Sequence, residues 1–185
     1  PSISLANVDG QGMAEIVIGA EVTVLECDDV GLPRIRDIFV GDRGQGDQRF
    51  GVVGCVADLL GDGDLEIVAG STVYGLPQGP AGAERRADCM GQGGDLEPLN
   101  EEEVAYCEGR LWVHWDGAAL LGVEDPHRGF CAVADIMGEE PAFAPGLDNP
   151  LDGRPEVILV GDGRLRIFDG ETGQQYYDQV LPGLG

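Results

Sequence analysis

A nine-residue pattern rich in side-chain oxygen occurs three times. It reads Asn-Val-Asp-Gly-Gln-Gly-Met-Ala-Glu at 7–15, Asp-Leu-Leu-Gly-Asp-Gly-Asp-Leu-Glu at 58–66 and Asp-Asn-Pro-Leu-Asp-Gly-Arg-Pro-Glu at 148–156. Position 1 is Asp or Asn, position 6 is Gly (Gly12, Gly63, Gly153) and position 9 is Glu, and each copy runs into an apolar segment (16–19, 67–70, 157–160). Short oxygen-rich loops with a glycine at the tightest bend suit a hard cation such as calcium, which takes six to eight oxygen ligands. The first loop offers the side chains of Asn7, Asp9, Gln11 and Glu15 and the Met13 carbonyl. The second offers Asp58, Asp62 and Glu66 with the Asp64 carbonyl, and the third Asp148, Asp152 and Glu156 with the Arg154 carbonyl. Water would complete each shell, so affinity should be modest. A metal-free turn, in which Asp bonds to backbone N–H groups and Gly takes a positive φ, accounts for the same residues.

Other chemistry-bearing residues point to less. Trp112, His114 and Trp115 suggest a sugar platform, but strand spacing puts Trp112 and His114 on one face and Trp115 on the other. One Trp then reads as core and the other as packed under a neighbouring insertion. The run 101–103 of three Glu reads as a solvated acidic stretch, and Asp28-Asp29 as a turn. No G-x-S-x-G, Walker loop, CxxC or H-E-x-x-H motif occurs, and the chain has only six Ser or Thr residues. A non-enzymatic protein is the expectation.

The elements that must position the loops follow a repeat. An apolar strand leads in (3–6, 52–57, 130–134), the loop follows, and a second strand leaves it (15–19, 66–70, 156–160). A third strand is read at 22–26, 111–115 and 165–168, and a weaker fourth at 35–40, 118–123 and 174–180. Asp116-Gly117 and Asp169-Gly170 are hairpin signals, and no 11-residue window carries helical periodicity. Four short antiparallel strands per unit make the blade of a β-propeller. The units span about 1–45, 50–125 and 128–185, with an insertion near 75–109 in the second and a smaller one at 138–146 in the third.

Composition bounds the setting. The 185 residues carry a formal charge of -23, with 34 acids, 11 Arg and no Lys. Such a chain repels phosphate backbones and anionic lipid, which argues against nucleic-acid binding. It suits cation binding, high-salt solubility or a basic partner, or simply reflects a generally acidic proteome. No run approaches the ~18 apolar residues of a membrane span. The opening from Pro1 reads as strand rather than signal peptide, as in a mature secreted protein or an interior fragment. Of five cysteines, Cys89 and Cys107 bracket a Gly- and acid-rich segment whose closure by a disulfide would add roughly 3 kcal/mol. Cys55 and Cys131, in strand-like runs, read as buried free thiols, and an oxidising compartment is expected.

Three copies of loop and strand resemble FG-GAP/VCBS repeats, the calcium-loop propeller repeats of integrin α-chains and bacterial surface proteins. Phe50-Gly51 is similar to the FG element and Gly19-Ala20-Glu21 to the GAP element, with Glu21 in place of Pro; Leu60 and Pro150 depart from the family at position 3. The resemblance implies an all-β propeller segment of about three four-stranded blades. It implies structural calcium and an extracellular or cell-surface role in adhesion, recognition or assembly, with a protein or a carbohydrate as ligand. A polysaccharide-lyase-type propeller and a purely structural subunit are the alternatives. Three blades do not close a ring, so the expected partners are further blades from the same parent chain or a neighbouring chain.

Overall fold

The computed structural model describes residues 2–43, 53–78, 100–122, 129–137 and 151–183. They are mostly β and form three four-stranded antiparallel sheets, each with its strands in sequence order. The first sheet holds β1 (Ser4–Ala6), β2 (Glu15–Ile18), β3 (Glu21–Cys27) and β4 (Pro33–Val40). The second holds β5 (Gly54–Ala57), β6 (Glu66–Ala69), β7 (Thr72–Gly75) and β8 (Trp112–Asp116). The third holds β9 (Phe130–Ala134), β10 (Glu156–Gly161), β11 (Arg164–Asp169) and β12 (Gln175–Val180). Helix α1 (Glu101–Glu108) precedes β8, and the one-turn α2 (Gly117–Leu120) follows it.

Strand alternation sorts side chains onto opposite faces, and each inner face finds a neighbour. First strands stand side by side, β1 against β5 and β5 against β9. Val17, Val22, Val24 and Phe39 of the first sheet pack on Ile67 and Tyr74 of the second. Val68, Val73 and Trp115 on its opposite face pack on Val157, Leu159 and Phe168 of the third. Each such buried side chain contributes roughly 1.5–3 kcal/mol, so the two seams carry most of the apolar stabilisation.

Two-residue hairpins link second and third strands. Ile18 pairs with Glu21 across Gly19-Ala20, and Ala69 with Thr72 across Gly70-Ser71. Gly19 and Gly70 take φ of 60° and 61°, the left-handed first position that such a turn reserves for glycine.

The structure corrects several expectations. The third strand of the second sheet is β7 at Thr72–Gly75, and the segment at 111–115 falls largely in β8, the fourth strand. The Gly70-Ser71 turn reverses the chain at once, so the insertion lies between the third and fourth strands. The region read as a fourth strand from 118 starts instead within α2, because the Asp116 side chain accepts from the Ala118 N–H and caps a helix. The acidic run Glu101, Glu102, Glu103 is the first turn of α1. Asn100 accepts from the Glu103 N–H at 2.9 Å, and Glu103 accepts from the Asn100 N–H at 2.9 Å. This reciprocal cap, with three acids at the positive end of the helix, stabilises a helix that lacks an apolar stripe.

The cysteines are corrected as well. Cys55 and Cys131 are not free thiols; they form a disulfide with Cα atoms 6.0 Å apart. They sit opposite Val68 and Leu159 on strands that face each other across one seam. Cys27 is free and exposed. Cys107 is disulfide-bonded; Cys89, its expected partner, lies outside the described residues, as do Phe50, Gly51, Asp148 and the segment at 138–146. Among the described residues no helix is long and apolar enough to cross a membrane.

Candidate functional site

In each sheet the loop between first and second strands is built around one buried glutamate. Glu15, Glu66 and Glu156 open β2, β6 and β10 and are at most 3% exposed. Each turns its Oε2 back to the start of its own loop. Glu15 accepts from the Val8 N–H at 2.6 Å, Glu66 from Leu59 at 2.7 Å, and Glu156 from Ile136 at 2.7 Å and Met137 at 3.2 Å. Burial pushes all three carboxyls above the ordinary glutamate value; these N–H donors work against that, and neighbouring aspartates add to it.

The donors of Glu156 relocate the third loop. Ile136 stands where Val8 and Leu59 stand in the other sheets, so the residue before it, Asp135, is the counterpart of Asn7 and Asp58. Asp135 Oδ2 accepts from the Gly153 N–H at 2.9 Å, just as Asp58 Oδ2 accepts from Gly63 at 3.1 Å. Asp135 thus fills position 1 of the third loop, the role expected of Asp148. The sequence signal was present: Ala precedes the position-1 residue in all three copies (Ala6, Ala57, Ala134). The stretch between strand and loop in the third copy hid it.

The position-6 glycines Gly12, Gly63 and Gly153 have φ of 59°, 94° and 82°, a conformation that L side chains adopt at a cost. The remaining carboxylates make local turns. Asp9 Oδ1 accepts from Gln11 N–H at 2.8 Å, Asp62 Oδ1 from Asp64 at 3.0 Å and Asp152 Oδ1 from Arg154 at 2.9 Å. Asp58 uses both oxygens on backbone, Oδ1 to Gly61 at 2.7 Å and Oδ2 to Gly63. Asn7 and Gln11 are exposed, and Met13 Sδ lies 3.5 Å from the Cys27 thiol. Asp9 also pairs with Arg36 at 3.2 Å, and Arg154 with Glu171 at 3.2 Å.

The donor type in these loops is the one a hard cation such as calcium takes. Every candidate ligand is oxygen, and two buried carboxylate oxygens, Glu15 Oε1 and Asp135 Oδ1, have no hydrogen-bond partner. A buried anionic oxygen left unpaired costs free energy that a cation would offset. Among the described residues no three His, Cys, Asp or Glu side chains converge closely enough to hold a metal. In the second loop Asp58 has both oxygens on backbone N–H groups, whereas in the third Asp135 uses one and leaves the other unpaired.

A second feature lies beside α1, where a cleft of about 370 Å³ is lined by Glu101, Val104, Arg110 and Trp112. Trp112 is half-buried there. Trp115 is 6% exposed, and its Nε1 donates to the Gly170 carbonyl at 2.8 Å. His114 is exposed and packs over Gly75, where an added Cβ would meet Nε2 at 2.5 Å.

No family model matches the chain, and no solved structure matches it. The chain is similar to the DNA-directed RNA polymerase subunit beta of Bifidobacterium longum, at 27% identity over 157 residues in strains DJO10A and NCC 2705 and 26% in subspecies infantis. The aligned region covers 80% of this chain and 13% of each of those proteins.

Proposed function

We propose that this chain is a segment of an FG-GAP/VCBS-like β-propeller, a non-enzymatic, calcium-dependent module for adhesion, recognition or assembly at the cell surface or outside it. The observation that carries the reading is the loop built three times around a buried glutamate, between the first and second strands of three successive sheets. Such a loop puts several carboxylates at the same end of each sheet, which an ion would have to draw together. Calcium there would neutralise the cluster and tie the loop, so that its binding energy becomes folding energy. The disulfide between β5 and β9 supports an oxidising compartment. The charge of -23 disfavours contact with a phosphate backbone, and a 27% match over 13% of the polymerase subunits gives no reason to carry their role over. Further sheets of the same kind, from the parent chain or a neighbour, are the natural partners.

The test is thermal unfolding with calcium and with chelator. At a hundredfold excess over Kd, binding to the folded state adds about 2.7 kcal/mol per site. Calcium should raise the melting temperature, and Asp9→Ala and Asp152→Ala should each reduce that gain. A melting temperature indifferent to calcium and chelator alike overturns the reading. The Trp112 cleft favours a second reading, carbohydrate binding, because an indole face beside Arg110 and Glu101 offers both stacking and hydrogen bonds to a sugar; loss of glycan-array binding in Trp112→Ala would support it.

A further inference from the structure

Three glutamates open α1, and two of them are committed inside the chain. Glu102 Oε1 accepts from the Gln78 N–H at 2.9 Å, and Glu103 Oε2 from the Asn100 N–H at 2.9 Å. Glu101 is exposed, lines the cleft beside α1 and makes no hydrogen bond or ion pair with any described residue. The other charged group on that lining, Arg110, is held by Glu108, whose Oε2 takes Nε at 2.6 Å and Nη2 at 2.5 Å. Among the described residues, then, the uncompensated charge of the cleft is the Glu101 carboxylate. Around it stand buried Ala105 and Leu111 and half-buried Val104 and Trp112.

A carboxylate, an indole and short apolar side chains around one opening suit a long side chain that ends in a cation. Its methylenes lie on apolar surface while the head keeps its polar contacts, and an aromatic face attracts the charge. The whole molecule pulls the same way, because a net charge of -23 gathers cations and steers them in. The cation must come from elsewhere. The chain has no Lys, and each described Arg already stands beside an acid of its own, from Arg34 on Glu26 at 2.7 Å to Arg166 beside Asp178 at 3.7 Å. A neutral sugar would use the indole and hydrogen bonds but gain nothing from the charge.

We propose that this cleft takes a lysine or arginine side chain from a basic segment of a partner protein. The stem lies against Val104, and the cation sits between the Trp112 ring and the Glu101 carboxylate. The site goes beyond the calcium reading and does not depend on it, and it contests the carbohydrate reading of the same cleft.

The experiment is fluorescence anisotropy in chelator, with a labelled peptide of alternating Lys and Gly and the same peptide with every Lys acetylated, which removes the charge. Because any acidic surface attracts such a peptide, Glu101→Gln is compared with Asp29→Asn, an equal loss of charge at an exposed turn of the first sheet. The expected result is binding of the charged peptide alone, weakened about threefold or more by Glu101→Gln and by Trp112→Ala and by less than about twofold by Asp29→Asn. Circular dichroism checks that Trp112→Ala keeps its strands; Glu101→Gln, at an exposed position, carries the test if it does not. Equal weakening by Glu101→Gln and Asp29→Asn overturns the proposal, because attraction would then be general. So does equal binding of the acetylated peptide, or no peptide binding, whether or not Trp112-dependent glycan binding is found in its place. Working in chelator keeps these outcomes separate from the calcium melting experiment.

Discussion

The two seams inside the molecule use the same faces of the same repeat, yet they are held differently. Between the first and second sheets the polar contacts are many and spread out. The Tyr74 hydroxyl accepts from the Arg43 N–H at 2.8 Å and donates to the Arg43 carbonyl at 3.0 Å, and Arg43 pairs with Asp116. The Val40 N–H donates to Gly109 at 3.1 Å, and the Leu111 N–H to Val40 at 3.3 Å. At the inner end Gly54 comes so close to Gly19 that a Cβ on it would sit 2.8 Å from the Gly19 carbonyl oxygen. Between the second and third sheets two anchors stand out among the described residues. One is the Cys55–Cys131 bond joining the inner strands; the other is Trp115, on the outer strand, reaching Gly170. A distributed seam loses a little with any one polar contact, whereas a seam pinned at two points loses a larger share when one of them goes.

Trp115→Ala should show that asymmetry most strongly. The side chain packs with Phe168 at a ring separation of 5.9 Å and lies over Gly173, where a Cβ would meet the indole at 2.5 Å. Deleting it opens a cavity and leaves the buried Gly170 carbonyl unpaired, costing about 3–5 kcal/mol. Urea unfolding should shift accordingly, and native-state hydrogen exchange should quicken in β9 and β10 while β2 and β3 keep their protection. A loss below about 1 kcal/mol, or exchange that quickens equally in both seams, would show that Trp115 is not an anchor.

Removing the covalent anchor ranks next. The bond spans a sequence separation of 76 residues, and cross-linking a loop of that size restricts the unfolded chain by roughly 4 kcal/mol on the entropic account. The Cys55→Ser, Cys131→Ser double variant isolates this bond from the one at Cys107, which a reductant would also break. Its urea midpoint should fall without change in strand content. An unchanged midpoint would place the hold of the second seam in its apolar contacts alone.

What the sequence revealed divides along the same line between local and distant. The first two loops are contiguous, so their glutamates, glycines and following strands were legible, and so was the count of three sheets. The third loop is interrupted: its position-1 aspartate, Asp135, lies 17 residues before Asp152, and the contiguous pattern offered Asp148 instead. β7 has only four residues and follows its turn directly, so the longer apolar run at 111–115 took its place in the reading. The Cys55–Cys131 pair carries no local mark, because only the packing of β5 on β9 brings the strands together. Helix α1 was missed because its evidence is an end rather than a stripe, the Asn100 and Glu103 cap.

The smallest expected effect concerns how the Trp115 anchor is kept in place. Gly170, its acceptor, sits in the turn between β11 and β12, and Asp169 organises that turn. Asp169 Oδ1 accepts from the Thr172 N–H and hydroxyl, both at 2.6 Å, and Oδ2 from the Tyr176 hydroxyl at 2.7 Å. Burial alone would raise the Asp169 carboxyl, but these hydrogen bonds outweigh it and hold it below the ordinary aspartate value. The Tyr176 hydroxyl is pushed up to about 12, chiefly by burial and then by Asp169, so it remains a donor across the working range. A carboxyl depressed in the folded state binds fewer protons there than in the unfolded chain. Its stabilisation is therefore complete above the unfolded value, near pH 4, and is lost as pH falls through the folded value. Asp169→Asn keeps an acceptor but not the charge, and should cost about 1 kcal/mol at pH 7. That difference should shrink as pH drops below about 4, when the wild-type carboxyl is itself neutralised. Hydrogen exchange should place the loss in β11, β12 and the second seam. A wild-type–variant gap that stays constant from pH 7 to pH 3 would mean that Asp169 holds the turn by shape rather than by charge.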